Sequence, residues 1–197
     1  MRRIVLIDGE NLVYGICHLL DNNSRKSIHS VVENFNFRGL IEELLADNLP
    51  TEILWFGARL RLYEQSPQIK QKSSETIQYQ ARFVNLIQRQ RITFIKAGYL
   101  RVRESAPCEQ CKHKTWKLAE KGVDVGLAVR MVQEASKDTE IVIISADTDL
   151  LPAFLASTKL GAKLMHIGYE ISPIYALIKV SNTTRTITLP LVQKYKS

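Results

Sequence analysis

The sequence predicts an α/β fold, a three-layer sandwich in which helices cover both faces of a central, mostly parallel sheet. Uninterrupted apolar runs at residues 4–7 and 141–144 are typical of strands that are buried on both faces. Segments with helical periodicity alternate with such runs, as expected when crossover helices join parallel strands. With 197 residues, the chain is long enough for one domain with a sizeable core.

The first predicted elements are a strand at residues 3–8, a helix at 11–20, a helix at 38–47 and a strand at 52–58. Both helices carry leucine and isoleucine on one side at helical spacing, and the second strand is again a continuous apolar run. Pro50 ends the second helix.

Ser66 and Pro67 predict the start of a long helix that ends near residue 90, because serine is a good N-cap and proline fits the first turn. A strand is predicted at residues 91–97. Residues 100–103 either extend this strand or form one arm of a hairpin, and the polar segment that follows is predicted to be a loop.

A helix is predicted at residues 123–135, with one apolar face formed by Val125, Ala128, Val129 and Val132. The predicted elements after it are a strand at 140–145, a helix at 150–160 that stops at Gly161, a strand at 163–168 and a short helix at 174–178.

The domain is expected to span residues 1–182 and to contain a basic loop at 105–117. A C-terminal tail at residues 183–197 follows, and residues 186–189 in it are a candidate edge strand.

The basic residues are concentrated in the middle of the chain. Residues 59–117 contain 13 Lys and Arg against 4 Asp and Glu, whereas the remainder contains 14 against 16. A basic surface attached to an acidic site suits a polyanionic substrate that is handled through metal ions, although a solvated surface without a partner gives the same composition.

Acidic side chains follow two of the predicted strands directly. Asp8 follows the first apolar run, and Asp147 and Asp149 follow the run at residues 141–144. If the two strands are neighbours, these carboxyl groups meet at the edge where open α/β sheets place their ligand sites. Clustered carboxylates persist mainly where they hold a cation, so the arrangement indicates a metal-dependent phosphodiesterase.

The acidic positions also have structural interpretations. Asp149 or Thr148 can cap the helix that begins at Leu150, and Asp124 is a favourable acid in the first turn of its helix.

Three polar residues near these acids are expected substrate contacts, and each has an alternative role. Ser145 can hydrogen-bond a ligand carboxylate or a metal-bound water. Lys121 is either a surface charge or a contact to the scissile phosphate, and Asn11 either orients a carboxylate or phosphate or is an ordinary helix-start amide.

Three segments, taken together, resemble the signature blocks of the NYN domain, most closely those of its LabA-like branch in the PIN-like nuclease superfamily. They occur in the family's order, at residues 7–12 (IDGENL), 120–125 (EKGVDV) and 145–152 (SADTDLLP). The resemblance implies a PIN-like sandwich and a ribonuclease that depends on Mg²⁺ or Mn²⁺. The family's catalytic, metal-binding acids correspond to Asp8, Asp124, Asp147 and Asp149, and Asn11 matches the family's amide.

The chain departs from the family pattern at Arg130, where many relatives carry a further acid. An arginine there weakens metal binding, holds a substrate phosphate or points outward. We count Arg130 among the expected substrate contacts, together with Asn11, Lys121 and Ser145.

Cys108, Cys111 and His113 form half of a candidate Zn²⁺ site within the basic loop. Structural zinc usually takes four ligands, and no second cysteine pair is nearby, so a pair of reduced cysteines is the other interpretation. Lysines and Trp116 beside them suit a contact to nucleic acid.

The expected function is metal-assisted hydrolysis of RNA. The alternative is a non-catalytic RNA- or protein-binding regulator on the same fold, whereas the basic segment disfavours a phosphatase or receiver-like domain. Three cysteines and no export signal predict a reducing cytoplasm, and no apolar stretch predicts a membrane partner. The sequence leaves a homodimer open.

Overall fold

The computed structural model describes residues 1–20, 31–46, 49–104, 110 and 116–196, with the backbone alone at residues 116 and 117. Its strands are β1 (Arg2–Asp8), β2 (Glu52–Arg59), β3 (Thr93–Glu104), β4 (Trp116–Lys121), β5 (Thr139–Ile144), β6 (Lys163–Tyr169) and β7 (Thr183–Ile187). They form one sheet in the order β4-β3-β2-β1-β5-β6-β7, in which β4 alone runs antiparallel to its neighbour.

Helices cover both faces of this sheet, which confirms the predicted α/β/α sandwich. The helices are α1 (Gly9–Leu19), α2 (Phe37–Leu45), α3 (Pro67–Arg89), α4 (Val123–Glu134), α5 (Leu151–Lys159), α6 (Tyr175–Val180) and α7 (Leu189–Tyr195). One core cluster lies under α1, α2, α7 and the end of α3, and the other lies under α4, α5 and α6. No helix in the described ranges is long and apolar enough to cross a membrane.

The central strand β1 is buried on both sides, which explains its unbroken apolar run. Val5 and Ile7 point into one core cluster, whereas Ile4 and Leu6 point into the other. No side chain along this part of β1 faces water, so no polar alternation is needed.

Strands β1 and β5 are parallel neighbours, with Ile7 beside Ile144, which meets the condition for their acids to share one end of the sheet. The chain builds the sheet outward from β1 to β4 and then returns to place β5 on the other side of β1. The ends of β1 and β5 therefore form a topological switch point, the usual location of a ligand site in open α/β sheets.

Several predicted element boundaries are confirmed. The side chain of Ser66 accepts a hydrogen bond from the backbone of Ile69 at 3.3 Å and caps α3, which ends at Arg89. Gly161 follows α5 with a φ of +93°, the left-handed conformation in which glycine ends helices.

The sheet continues beyond the predicted strands. Residues 100–103 extend β3, and the whole extension pairs antiparallel with β4, from Tyr99 opposite Lys121 to Glu104 opposite Trp116. Strand β4 was not predicted, because the polar residues in this edge strand interrupt its apolar pattern.

The predicted apolar face of the helix after residue 123 is wrong in part, since Ala128 and Val132 pack against the core but Val125 and Val129 do not. Val125 and Val129 are 66% and 50% exposed, and the buried residues of α4 are Val123, Leu127 and Met131. The helix is rotated about its axis relative to the prediction, and Gly126 explains why. A Cβ at this position would lie only 2.7 Å from the Cβ of Ala97. The bare glycine backbone packs closely against β3 and turns its own side of the helix inward.

The C-terminal segment packs against the rest of the chain. β7 forms the edge of the sheet beside β6, slightly before the predicted edge strand. The sequence reasoning missed α7, whose Val192 is fully buried and whose Lys194 pairs with Glu43 of α2 at 2.6 Å.

Candidate functional site

Asp8 is the last residue of β1 and the N-cap of α1. One carboxylate oxygen accepts a hydrogen bond from the backbone N–H of Asn11 at 3.2 Å, and the other accepts one from the Ser145 hydroxyl at 3.0 Å. The residue is only 6% exposed. Its carboxylate is therefore held in one orientation at the switch point.

Asn11 and Ser145 link the turn after β1 to the turn after β5. The side-chain oxygen of Asn11 accepts a hydrogen bond from the backbone N–H of Ala146 at 2.9 Å. The Ser145 hydroxyl, which donates to Asp8, accepts one from the backbone N–H of Asp147 at 3.0 Å. The predicted amide and hydroxyl therefore position the acids.

His166 on β6 contacts the turn that follows β5. Its Nε2 lies 2.9 Å from the carbonyl oxygen of Ser145, and since a carbonyl can only accept, Nε2 carries the proton. Burial lowers the pKa of His166, which favours this neutral form. This role of His166 could not be predicted from local sequence, because it depends on β5 and β6 being neighbours.

Asp147 and Asp149 lie in the 3₁₀ turn that leads into α5. A carboxylate oxygen of Asp147 accepts a hydrogen bond from the backbone N–H of Asp149 at 2.8 Å, so Asp147 is the cap of the turn. The capping role predicted for Asp149 or Thr148 thus belongs to Asp147. Asp149 is exposed, and Asp147 is partly exposed.

Asp124, in the first turn of α4, lies in the same electrostatic neighbourhood. The pKa of Asp124 is raised mainly by desolvation, and the charges of Asp147 and Asp149 raise it further. Burial likewise raises the pKa of Asp8 to about 6; the charges of Asp124 and Asp147 add to this, and the hydrogen bonds from Asn11 and Ser145 oppose it. The four predicted aspartates therefore share one electrostatic neighbourhood.

The donor chemistry at this edge fits a hard divalent cation. Within the described residues, no Lys or Arg forms a salt bridge with any of the four aspartates, so no ion pair offsets their mutual repulsion. No three acidic, histidine or cysteine side chains of the described ranges are grouped closely enough to surround one ion. A site with so few grouped ligands suits Mg²⁺, because this ion is usually held by one or two carboxylates and keeps several waters.

The profile of the NYN domain family matches residues 2–188. The chain belongs to the NYN domain family. This family is part of the PIN-like nuclease superfamily, and its members are generally nucleases. No curated protein matches the chain.

A crystal structure of a protein of unknown function from Vibrio parahaemolyticus shares the fold of this NYN domain. The TM-score is 0.57 at 13% sequence identity, over 94% of this chain and 92% of that one. At this identity the similarity shows the fold alone.

Arg130 of the NYN domain is not placed beside the aspartates, in contrast to the expected substrate contact. Its guanidinium pairs with Glu134 at 2.6 Å, and the other oxygen of Glu134 binds Arg2 at 2.6 Å. Arg2 is the first residue of β1 and therefore lies at the opposite end of this strand from Asp8. The i,i+4 pair on α4 thus directs Arg130 away from the site.

The remaining predicted site residues are Lys121 and the three candidate zinc ligands. Lys121 is exposed at the end of β4, three residues before Asp124, and so lies on the side of the aspartates. Cys108, Cys111 and His113 lie outside the described residues, and the zinc site stays a prediction.

Two glutamates at the site of the NYN domain were missed. Glu10 follows Asp8 by two residues, and Glu120 lies on β4 with its carboxyl within hydrogen-bonding reach of Glu10. Burial, followed by the charge of Glu10, raises the pKa of Glu120 to about 7. Both residues lie inside the family blocks, but their meeting depends on β4.

The raised pKa of Asp8 predicts how the stability of the NYN domain depends on pH. Because the pKa is about 6 in the folded protein against 3.8 ordinarily, the folded state binds more protons between these values, and the free energy of unfolding falls as pH rises through about 6. We expect Asp8→Asn to raise that free energy by about 1 to 3 kcal/mol near pH 7.5, and to leave it unchanged below about pH 3.8.

Urea unfolding of both proteins in EDTA, at each pH, measures this effect. A variant that is equally or less stable at the higher pH would show that the Asp8 carboxylate carries no electrostatic strain.

Proposed function

We propose that this NYN domain protein is a ribonuclease that hydrolyses RNA phosphodiester bonds with Mg²⁺ or Mn²⁺. One observation carries the proposal: a buried, oriented Asp8 shares its electrostatic neighbourhood with Asp124, Asp147 and Asp149 at the switch point of the sheet. Family membership supports the reaction class. We further propose that the protein belongs to the LabA-like branch and acts in the cytoplasm.

One or two of the four aspartates at a time would hold a divalent ion, with waters completing its shell. When bound, such an ion lowers the pKa of a water and neutralises the charge that develops on the phosphate. Ser145 and the backbone of Asn11 keep the Asp8 carboxylate aimed at the site, and the backbone of Asp149 does the same for Asp147. Asp124 and Asp149 are exposed, so they face the side from which a phosphate approaches.

Basic residues of α3 and β3 would hold the RNA backbone. They include Lys70, Lys72, Arg82, Arg89, Lys96, Arg101 and Arg103. Contacts of this kind are sequence-independent, and they release counterions. RNA affinity should therefore fall steeply as the salt concentration rises.

An assay with end-labelled single-stranded RNA tests the proposal. The purified protein is incubated with Mg²⁺, with Mn²⁺ and with EDTA, and the products are separated by length. We expect cleavage with either ion and none with EDTA. Intact RNA under all ionic conditions would overturn the proposal.

A non-catalytic RNA-binding regulator is the second candidate. It is favoured by the absence, among the described residues, of any three side chains grouped as metal ligands. Such a protein would retain RNA in a gel-shift assay with EDTA and cleave nothing with any divalent ion. Cleavage that depends on the ion rejects this candidate.

A further inference from the structure

A cleft with a volume of about 440 Å³ opens beside the aspartates, between α1, α3 and the β3–β4 edge of the sheet. Aromatic side chains form part of each wall, with Tyr14 on α1, Trp55 on β2, Tyr79 and Phe83 on α3, and Phe94 on β3. The rings of Tyr79 and Phe83 are stacked, 6.3 Å apart. Tyr14 is 63% exposed and presents its ring at the surface.

Glu10 and Glu120 line the same cleft. Two other polar residues of the lining are already engaged, because Gln80 donates to the Ala58 carbonyl at 2.9 Å and Thr76 to the Lys72 carbonyl at 2.7 Å. Glu120 also accepts a hydrogen bond from the backbone of Ala58, and its carboxyl lies within hydrogen-bonding reach of Glu10. Each carboxyl oxygen has two lone pairs, so the two glutamates still offer acceptor sites to a ligand. Glu10 is two residues from Asp8, so a ligand in the cleft lies next to the aspartates.

We propose that this cleft binds one unpaired nucleobase of the RNA substrate, and guanine in preference to uracil. The proposal rests on the proposed ribonuclease function and specifies its substrate as single-stranded. Aromatic rings provide stacking surfaces for unpaired bases. The Watson–Crick edge of guanine offers two adjacent N–H donors, which match the oxygens of a carboxylate, whereas uracil offers one.

The same chemistry excludes the other parts of RNA from the cleft. Two glutamates repel a phosphate, which is better placed against Lys72 on the α3 side of the cleft and against the lysines and arginines outside it. A base within a double helix is stacked and paired, so neither its face nor its edge is available to these residues. The cleft therefore accepts a base only from a single strand.

Fluorescence anisotropy in EDTA tests the subsite separately from catalysis. The probes are labelled octauridylate and the same oligomer with one central guanosine. We expect the wild-type protein to bind the guanosine oligomer at least about fivefold more tightly. Glu120→Gln, with Glu10→Gln as a second variant, should remove this preference. Circular dichroism checks that each variant is folded.

Tyr14→Ala should weaken the binding of both oligomers about fivefold or more, since a stacked base is lost, whereas Tyr14→Phe should retain it. Tyr175→Ala is the matched control, because Tyr175 is 75% exposed on α6 and lies outside the cleft. It should bind both oligomers like the wild type.

Equal affinity for the two oligomers, or unchanged binding by folded Tyr14→Ala, would overturn the subsite even if the wild type cleaves RNA. A guanosine preference in a protein that cleaves nothing would support the subsite and overturn the proposed nuclease.

Discussion

Asp8→Asn is expected to lower the rate of divalent-ion-dependent RNA cleavage at least about a hundredfold. Asparagine has nearly the shape of aspartate and can still accept a hydrogen bond from Ser145 or Asn11, so the turn keeps its form. It lacks the negative charge that a metal ion requires. The loss should therefore affect the chemical step while the fold is retained.

Single-turnover cleavage of labelled RNA with saturating Mg²⁺ or Mn²⁺ measures this loss. Asp147→Asn should behave in the same way. Asp138→Asn is the control, because this exposed aspartate precedes β5 at the opposite edge of the sheet. Undiminished cleavage by both Asp8→Asn and Asp147→Asn would reject the assignment of the site.

Gly98→Ala is expected to destabilise the protein by about 2 to 5 kcal/mol, the largest stability effect that we predict. Gly98 has a φ of +67°, and a Cβ there would lie 2.6 Å from the backbone nitrogen of Val123. The three atoms nearest to this Cβ belong to the backbone of residues 121–123, just before and at the start of α4, and they cannot rotate away. The substitution would push α4, which carries Asp124, away from the edge of the sheet.

Gly122→Ala separates steric overlap from backbone strain. Gly122 also has a positive φ, +84°, but a Cβ there would meet nothing closer than Gly98 at 3.7 Å. Gly122→Ala should lower the free energy of unfolding by about 1 to 2 kcal/mol, because of the left-handed conformation alone. Urea unfolding measures both variants, and equal losses would show that the contact of Gly98 with α4 is not tight.

Patterns that are local in the chain predicted much of this fold. The apolar run before Asp8 indicates a strand buried on both faces, and Ser66 with Pro67 marks the start of α3 through local hydrogen bonding and a fixed φ. The positions of Asp147 and Asp149 were predicted in the same way, because both lie in the turn after β5, whose end is at the switch point of the sheet.

Features that depend on tertiary contacts could not be predicted. Strand β4 is held by its pairing with β3, and the inward face of α4 is set by the contact of Gly126 with Ala97. Arg130 is turned away by a partner on its own helix. The meeting of Glu10 with Glu120 requires residues more than a hundred positions apart, and no local pattern indicates it.

The hydrogen bond between Asn11 and the backbone of Ala146 has a consequence for ion selectivity. With the bond from Ser145 to Asp8, it fixes the spacing between the Asp8 and Asp147 turns before any ion arrives. If the site binds divalent ions as proposed, ions of different radius, such as Mg²⁺ and Ca²⁺, would encounter the same spacing. They would be distinguished by how much of its hydration shell each must lose to fit between the two turns.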